Sequence, residues 1–147
     1  MITNIIIAAM LAQLTFASTD AEEPSIGFSL MRDSLVVVPV TLNGRGGYKF
    51  LLDTGATNSI LSRQTADQLG IPALRHATLL TAGGNMPVTV HAVNMQIGSV
   101  QIRDMEIAVA ESDLFRKLHV DGLIGADYLR QFKVSIDYTH RTLSIKR

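Results

Sequence analysis

The chain has 147 residues with 13 basic and 13 acidic side chains, so its formal net charge is zero. This balance provides no electrostatic footprint for nucleic acid, and we expect no nucleic-acid partner. Hydrophobic residues make up 47% and charged residues 18%, which is typical of a folded domain and excludes a disordered chain. The absence of cysteine excludes disulfides, a thiolate zinc site and a cysteine nucleophile.

The N-terminal segment has the pattern of an export signal. Residues 5–17 form an apolar run, shorter than the ~20 residues that span a bilayer, and no charged side chain precedes Asp20. Ala17 and Ala21 each end a motif of the kind cut by signal peptidases. We expect residues 1–21 to be a signal peptide or a membrane anchor, and the protein to be exported (periplasmic, secreted or membrane-anchored) rather than cytoplasmic. A buried N-terminal strand is the alternative.

Short strands separated by turn signals follow this segment. The run Leu35–Leu42 is rich in β-branched residues and ends at Asn43-Gly44, which predicts a hairpin. Pro39 predicts that this run is an edge strand, and Arg45–Gly47 is expected to extend the turn. Further strands are expected at residues 48–52, 59–61, 77–81, 86–97, 100–110, 134–138 and 143–145.

Two short helices are predicted. Residues 62–70 begin with a serine that can cap a helix and end with a glycine that can close it. Residues 126–132 fit a second helix, with Leu129 and Phe132 on its inner side. Residues 111–120 are expected to form a half-polar loop.

The spacing of the strands indicates a single small β domain. Short strands with few helices are typical of closed or sandwich-like all-β architectures. We expect residues 22–34 to form a linker and first strand region, and residues 35–147 to form the domain.

One tripeptide carries the chemistry. The apolar strand Phe50–Leu52 is followed directly by Asp53-Thr54-Gly55, and a carboxylate in such a place is costly unless it is hydrogen-bonded or functional. Gly55 permits close approach of the backbone or a positive φ. The tripeptide alone is equally consistent with an Asx-turn at the end of a strand.

Two further elements follow in order along the chain. One is the glycine-rich turn Ala82-Gly83-Gly84-Asn85, and the other is Leu123-Ile124-Gly125 with the helix and strand after it. With these three elements, the chain resembles the retropepsin-like (retroviral-type) aspartic proteases, in particular their single-domain bacterial members, over roughly residues 35–147. The resemblance implies an all-β fold, namely a closed acid-protease β-barrel with one or two short helices and a β-hairpin flap.

The resemblance also implies an aspartic endopeptidase acting on peptides or proteins. Asp53 would be catalytic, and Thr54, Gly55 and Ala56 would complete the active-site loop. Residues 82–85 would form the flap, and Leu123–Gly125 would be the hydrophobic-hydrophobic-glycine element. In this family two such carboxylates share one proton, since like charges in contact cannot both ionise. One activates water while the other polarises the scissile carbonyl, and no cofactor or metal is needed.

The number of motifs determines the expected assembly. The chain contains one Asp-Thr-Gly and no Asp-Ser-Gly, so a second carboxylate must come from another subunit. We expect a homodimer with Asp53 of each chain at a twofold axis. Thr54 would bond across the axis, and Leu143–Lys146 would pair between subunits. Because Ala56 has no hydroxyl to stabilise the carboxylate, we expect an optimum in mildly acidic to near-neutral conditions.

No metal site is expected, because the four histidines are scattered and lack a metal-ligand spacing. Asp127 is expected to cap the helix that follows Gly125, and an ordinary hairpin turn is the less favoured alternative to a flap at 82–85. The alternative to a protease is a non-catalytic dimeric peptide-binding or adaptor module on the same fold. A structural β domain of the cell envelope is a weaker third interpretation.

Overall fold

The structure, a computed structural model, describes residues 24–147. The predicted export segment, residues 1–21, lies outside this range. The described residues form eleven strands: β1 (Ser25–Gly27), β2 (Ser29–Met31), β3 (Leu35–Leu42), β4 (Arg45–Leu52), β5 (Ile60–Ser62), β6 (Ala73–Thr81), β7 (Gly84–Ile97), β8 (Val100–Ala110), β9 (Gly122–Ile124), β10 (Lys133–Asp137) and β11 (Thr142–Lys146). The helices are α1 (Arg63–Leu69), α2 (Asp113–Leu118) and α3 (Ala126–Leu129). No helix within residues 24–147 is long and apolar enough to cross a membrane.

The strands form two sheets. The larger has eight strands in the order β2-β3-β4-β9-β5-β8-β7-β6, and the smaller has the order β1-β11-β10. An additional pairing of β3 with β7, through Thr41 opposite Gln96 and Leu42 opposite Met95, joins six strands of the larger sheet into a circuit. The predicted all-β class is confirmed.

The first hairpin follows from its turn residues. Asn43 and Gly44 have φ angles of 48° and 79°, the left-handed region that a tight β3–β4 turn requires. Pro39 does not mark an edge strand, because β3 lies between β2 and β4. It is tolerated because β2 begins with Ser29 opposite Val37 and runs away from Pro39, so no residue of β2 pairs with the proline. Arg45–Gly47 belongs to β4 and not to the turn: Arg45 already pairs with Leu42 of β3, and a shift in register separates this pair from the next, Tyr48 with Val40.

Helix α1 forms where its capping residues predict. The Ser62 hydroxyl accepts a hydrogen bond from the Thr65 amide at 3.1 Å. Gly70 closes the helix with a φ of 64°, which satisfies a terminal carbonyl at little steric cost.

The stretch expected to be a loop contains helix α2, so that prediction is wrong, and the part of the chain that the structure describes has three helices. The Ser112 hydroxyl caps the helix by accepting from the Leu114 amide at 3.2 Å. Phe115 and Leu118, three residues apart on one face, are buried. The signals for this helix are present, but its two turns are too short for a clear helical period.

Helix α3 is shorter than predicted and buries a different side chain most deeply. It spans four residues, and the side chain that is 0% exposed is Tyr128, whereas Leu129 and Phe132 are half-buried. Leu129 and Phe132 pack against the main core as expected, but the prediction missed Tyr128 as the most buried side chain of this helix.

The three-stranded sheet differs from the expectation for the C-terminal strand. β11 is its central strand, with β1 along residues 142–144 and β10 along its whole length. Since both neighbours belong to the same chain, the expected pairing of Leu143–Lys146 between subunits is not what the structure shows. Among the described strands, β1 and β10 form the edges of this sheet.

The core lies inside the circuit of strands and continues to the smaller sheet. Inward residues of β3, β7 and β8 join Phe50, Ile124 and Tyr128 in the main cluster, which also includes Leu143 and Ile145 of β11. A second cluster packs α2 against Leu51 and Leu123. Ala56, in the Asp53 loop, packs against this second cluster and thereby connects the loop to a rigid layer.

Candidate active site

The Asp53 carboxylate lies in a tight turn at the end of β4. The Asp53 amide donates to the Ile124 carbonyl at 3.0 Å, and the Ala56 amide donates to the Asp53 carbonyl at 3.2 Å. Oδ1 of the half-buried side chain accepts a hydrogen bond from the Gly55 amide at 2.9 Å. Oδ2 has no hydrogen-bond partner within residues 24–147. One carboxylate oxygen is therefore held by the loop, and the other is available.

Strand β9 holds both ends of this loop. Leu52, just before Asp53, pairs in parallel with Ile124, and Ile60, just after the loop, pairs in antiparallel fashion with Leu123. The loop between these pairs is consequently anchored on the Leu123–Gly125 element. The structure thus brings together two of the three elements that the sequence singled out.

Two glycines permit this close packing. A Cβ on Gly125 would lie 2.6 Å from the Asn58 carbonyl carbon and 2.9 Å from the Ala56 carbonyl oxygen. A Cβ on Gly122 would collide with the Ile60 carbonyl oxygen. Real Cβ atoms do not approach backbone this closely, so only glycine fits against the loop at these two places.

A second set of hydrogen bonds joins the loop to α3. The Ala126 amide donates to the Ala56 carbonyl at 2.8 Å, and the Asp127 amide donates to the Thr57 carbonyl at 3.1 Å. The Gly125 amide donates to the hydroxyl of Ser59, which is 0% exposed. Sequence reasoning missed this role for Ser59.

Asp127 does not cap α3 as expected, because it is inside the helix and its carboxylate faces the loop. Oδ1 accepts from the Ser59 hydroxyl at 2.6 Å and from the Ser59 amide at 2.9 Å. It also accepts from the Tyr128 amide at 2.8 Å. The signal that could have revealed this role is a serine six residues after Asp53 facing a helix that begins directly after Gly125.

The exposed Thr54 lies on the wall of an apolar groove of about 340 Å³. Its other lining residues belong to α3, β10 and the segment between them, together with Leu52 of β4. Its apolar lining includes Leu52, Leu129, Phe132, Val134 and Ile136. An apolar surface therefore begins at the loop that carries the carboxylate.

The predicted flap residues lie at the end of the β6–β7 hairpin. The turn consists of Ala82 and Gly83, whereas Gly84 and Asn85 are already in β7, and all four residues are exposed. The Thr81 hydroxyl accepts from the Gly83 amide at 3.2 Å and donates to the Gly84 carbonyl at 2.9 Å. Leu79 and Met86 pack against a cluster that also contacts Ile60. The hairpin thus has a packed base and an exposed end.

Asp121, another carboxylate beside a glycine, has a structural environment. Its Oδ2 accepts from the Lys49 amide at 2.8 Å, and its Oδ1 accepts from the Thr65 hydroxyl at 3.0 Å. These bonds tie β4 to α1. Within residues 24–147, no three His, Asp or Glu side chains form a group that could hold a metal ion.

Comparison with known proteins agrees with this geometry. The family model for aspartyl proteases matches residues 38–128. No curated protein matches the chain significantly.

Solved structures with the same fold are similar to this chain over most of its length. A retropepsin-like aspartic protease from Rickettsia conorii is 26% identical, with a TM-score of 0.60 over 84% of this chain and 89% of that one. The retroviral protease-like domain of Ddi1 from Leishmania major is 25% identical, with a TM-score of 0.56 over 76% of this chain and 87% of that one. The EIAV protease in complex with the inhibitor HBY-793 shares the fold at 21% identity, with a TM-score of 0.54 over 70% and 92%.

The matched region contains the Asp53 turn, the β6–β7 hairpin and the β9 element that supports the turn. The family model spans more than half of the chain. The protein therefore belongs to the aspartyl protease family and has the retropepsin-like fold.

Proposed function

We propose that the protein is an aspartic endopeptidase that hydrolyses peptide bonds as a homodimer, with Asp53 of each subunit as the catalytic residue. The observation that supports this most directly is the Asp53 carboxylate. One of its oxygens accepts from the Gly55 amide, and the other has no hydrogen-bond partner within the described residues. A structural carboxylate such as Asp121 is instead bonded through both oxygens.

The chemistry requires two carboxylates in contact. When two such groups approach closely, they share one proton, because both cannot remain ionised side by side. The ionised Asp53 would take a proton from a water molecule, while the protonated Asp53 of the partner donates a hydrogen bond to the scissile carbonyl. The roles then reverse as the leaving amine takes up a proton. The pair titrates as a unit.

The groove beside Thr54 is the surface that we assign to the second copy of the chain. The single Asp-Thr-Gly must meet its counterpart at a twofold axis, and such an axis places the same residues on both sides. Thr54 borders both the catalytic turn and the groove, so a partner that brings its Asp53 to the axis also lies over Leu129, Val134 and Ile136. Burial of these apolar side chains would stabilise the dimer.

We assign the exposed end of the β6–β7 hairpin to substrate closure. Its packed base fixes its position, and its turn of small residues exposes main-chain groups that can bond an extended peptide. Closure of such a hairpin would exclude water from the reaction.

The test of this function is digestion of a peptide library between about pH 4 and 8, with product analysis by mass spectrometry. Cleavage by the wild type and none by Asp53→Asn is the expected result. Equal cleavage by both proteins would refute the role of Asp53. Peptide binding by a demonstrated dimer without cleavage in either protein would refute the protease and favour the binding-module alternative.

Export of the protein is a separate proposal, based on the apolar run at residues 5–17. Cell fractionation of the full chain and of a chain that lacks residues 1–21 tests it. The full chain is expected in the envelope or medium, and the shortened chain in the cytoplasm. The same distribution for both would contradict a signal or membrane anchor in this segment.

A further inference from the structure

The carboxylate of Asp127 receives an unusual concentration of hydrogen bonds from one neighbour. The Ser59 amide lies 2.9 Å from both of its oxygens, and the Ser59 hydroxyl lies 2.6 Å from Oδ1. The short O–H···O distance is typical of a charge-assisted hydrogen bond, which is about twice as strong as a neutral one. Ser59 is 0% exposed and Asp127 is half-buried, so these bonds are partly shielded from solvent.

Ser59 stands at the C-terminal end of the catalytic loop. The N-terminal end is held by the Asp53 amide on the Ile124 carbonyl, and Ser59 holds the other end by accepting from the Gly125 amide at 3.0 Å. Asp127 orients the Ser59 hydroxyl for this contact, because the hydroxyl has a single proton and donates it to Oδ1. Its lone pairs are then directed at the Gly125 amide.

We propose that Asp127 is a positioning residue for catalysis, which acts through Ser59 to fix the loop that carries Asp53. The effect on activity rests on the proposed protease function, whereas the effect on the loop does not. The main core and the strand ladders do not involve the Asp127 carboxylate, so its removal loosens the loop more than it destabilises the fold. A displacement of about 1 Å in a catalytic group can reduce turnover about 100-fold.

The central variant is Asp127→Ala, which removes both carboxylate oxygens that accept from the Ser59 hydroxyl and amide. We expect kcat to fall about 10- to 100-fold while KM changes less than about threefold, because the substrate-binding surfaces remain in place. Affinity for a peptide with a tetrahedral hydroxyl-bearing centre should fall in proportion to kcat/KM.

Two variants provide the rescue and the second test. Asp127→Asn keeps Oδ1, which accepts all three donors, but replaces Oδ2 with an NH2 group that cannot accept from the Ser59 amide, so it is expected to recover part of the lost kcat. Ser59→Ala leaves the carboxylate in place but removes the hydroxyl, and is expected to reproduce the kcat defect. Asp113→Asn is the matched control, since the exposed Asp113 carboxylate bonds only Arg116 by its side chain and should leave kcat unchanged.

Hydrogen exchange separates this proposal from the proposed function. In Asp127→Ala the amides of Asp53, Gly55 and Ala56 should exchange faster, while those of β7 and β8 remain as in the wild type. This result is expected even if the wild type cleaves no peptide. Unchanged exchange in the loop, a kcat within about twofold of wild type, or global unfolding of both Asp127→Ala and Ser59→Ala would overturn the proposal.

Discussion

At the scale of single residues, the half-buried Asp127 and the buried Tyr128 differ in whether their side chains have hydrogen-bond partners. The carboxylate of Asp127 is saturated by the Ser59 and Tyr128 amides and the Ser59 hydroxyl. The Tyr128 hydroxyl, by contrast, is buried and has no hydrogen-bond partner in the described part of the chain. The first arrangement holds the loop that carries Asp53, and the second is an energetic weakness in the core.

The change Tyr128→Phe should stabilise the protein. It removes a buried hydroxyl that lost its hydration on folding and gained no partner, which we expect to be worth about 1 kcal/mol of unfolding free energy. The ring and its contact with Phe132, at a centroid distance of 5.1 Å, are kept. Urea unfolding at neutral pH measures the difference, and a clear loss of stability would show that the hydroxyl has a partner in the folded protein.

The same residue predicts an alkaline effect. Burial raises the pKa of the Tyr128 hydroxyl to about 12, above its ordinary value. The folded state therefore disfavours ionisation of Tyr128. The contribution of Tyr128 to the free energy of unfolding keeps its full value below about pH 10, where the hydroxyl is neutral in both states, and falls as pH rises toward 12. Unfolding measured at pH 8 and pH 11 should show a smaller alkaline loss in Tyr128→Phe than in the wild type. Equal losses would contradict the pKa shift.

At the scale of elements, the site depends on the contact between the Asp53 loop and β9. The sequence identified both elements from motif and spacing, because Asp53-Thr54-Gly55 and Leu123–Gly125 are continuous and local. It did not reveal the Ser59–Asp127 contact, because these two residues are 68 positions apart and only the β4–β9–β5 pairing brings them together. Long-range pairing is the information that a local pattern lacks.

Gly125→Ala should severely damage this contact. Its Cβ would meet backbone atoms of Asn58 and Ala56, which cannot move aside as a flexible side chain can, and we expect a loss of more than about 2 kcal/mol. The matched change is Gly27→Ala, where a Cβ would meet nothing within 4 Å. Thermal unfolding of both variants should separate them by several degrees, and equal melting temperatures would contradict the packing described for Gly125.

At the scale of the whole molecule, a single chain folds into the β domain, but the proposed active site needs Asp53 from two chains. The all-β class was predictable because strand periodicity and turn residues repeat along the chain, whereas α2 was missed because two turns show little period. The prediction that Leu143–Lys146 pairs between subunits failed for a different reason. The sequence of β11 does not say which of several strands will lie beside it, and β1 and β10 of the same chain do so.

The groove assigned to the dimer makes a prediction of its own. Ile136→Glu places a charge on the groove wall, and burial of that charge against a second copy would be unfavourable. We expect a folded monomer with little peptidase activity. The control Leu74→Glu changes a side chain that is 53% exposed on β6 and should remain dimeric. Sedimentation velocity and circular dichroism measure both properties, and a dimeric Ile136→Glu protein would place the interface elsewhere.

If each active site contains one Asp53 from each of two chains, wild-type chains should lose activity when they are mixed with inactive chains. Wild-type protein at fixed concentration is mixed with increasing amounts of Asp53→Asn protein. After the subunits have exchanged, cleavage of a peptide substrate is measured. With a ninefold excess of the variant, activity per wild-type chain should fall to about one tenth, because about nine tenths of the wild-type chains then lie in mixed dimers. The double variant Asp53→Asn/Ile136→Glu should not inhibit. Activity unaffected by any excess of Asp53→Asn would show that one chain contains a complete site, and would contradict the account.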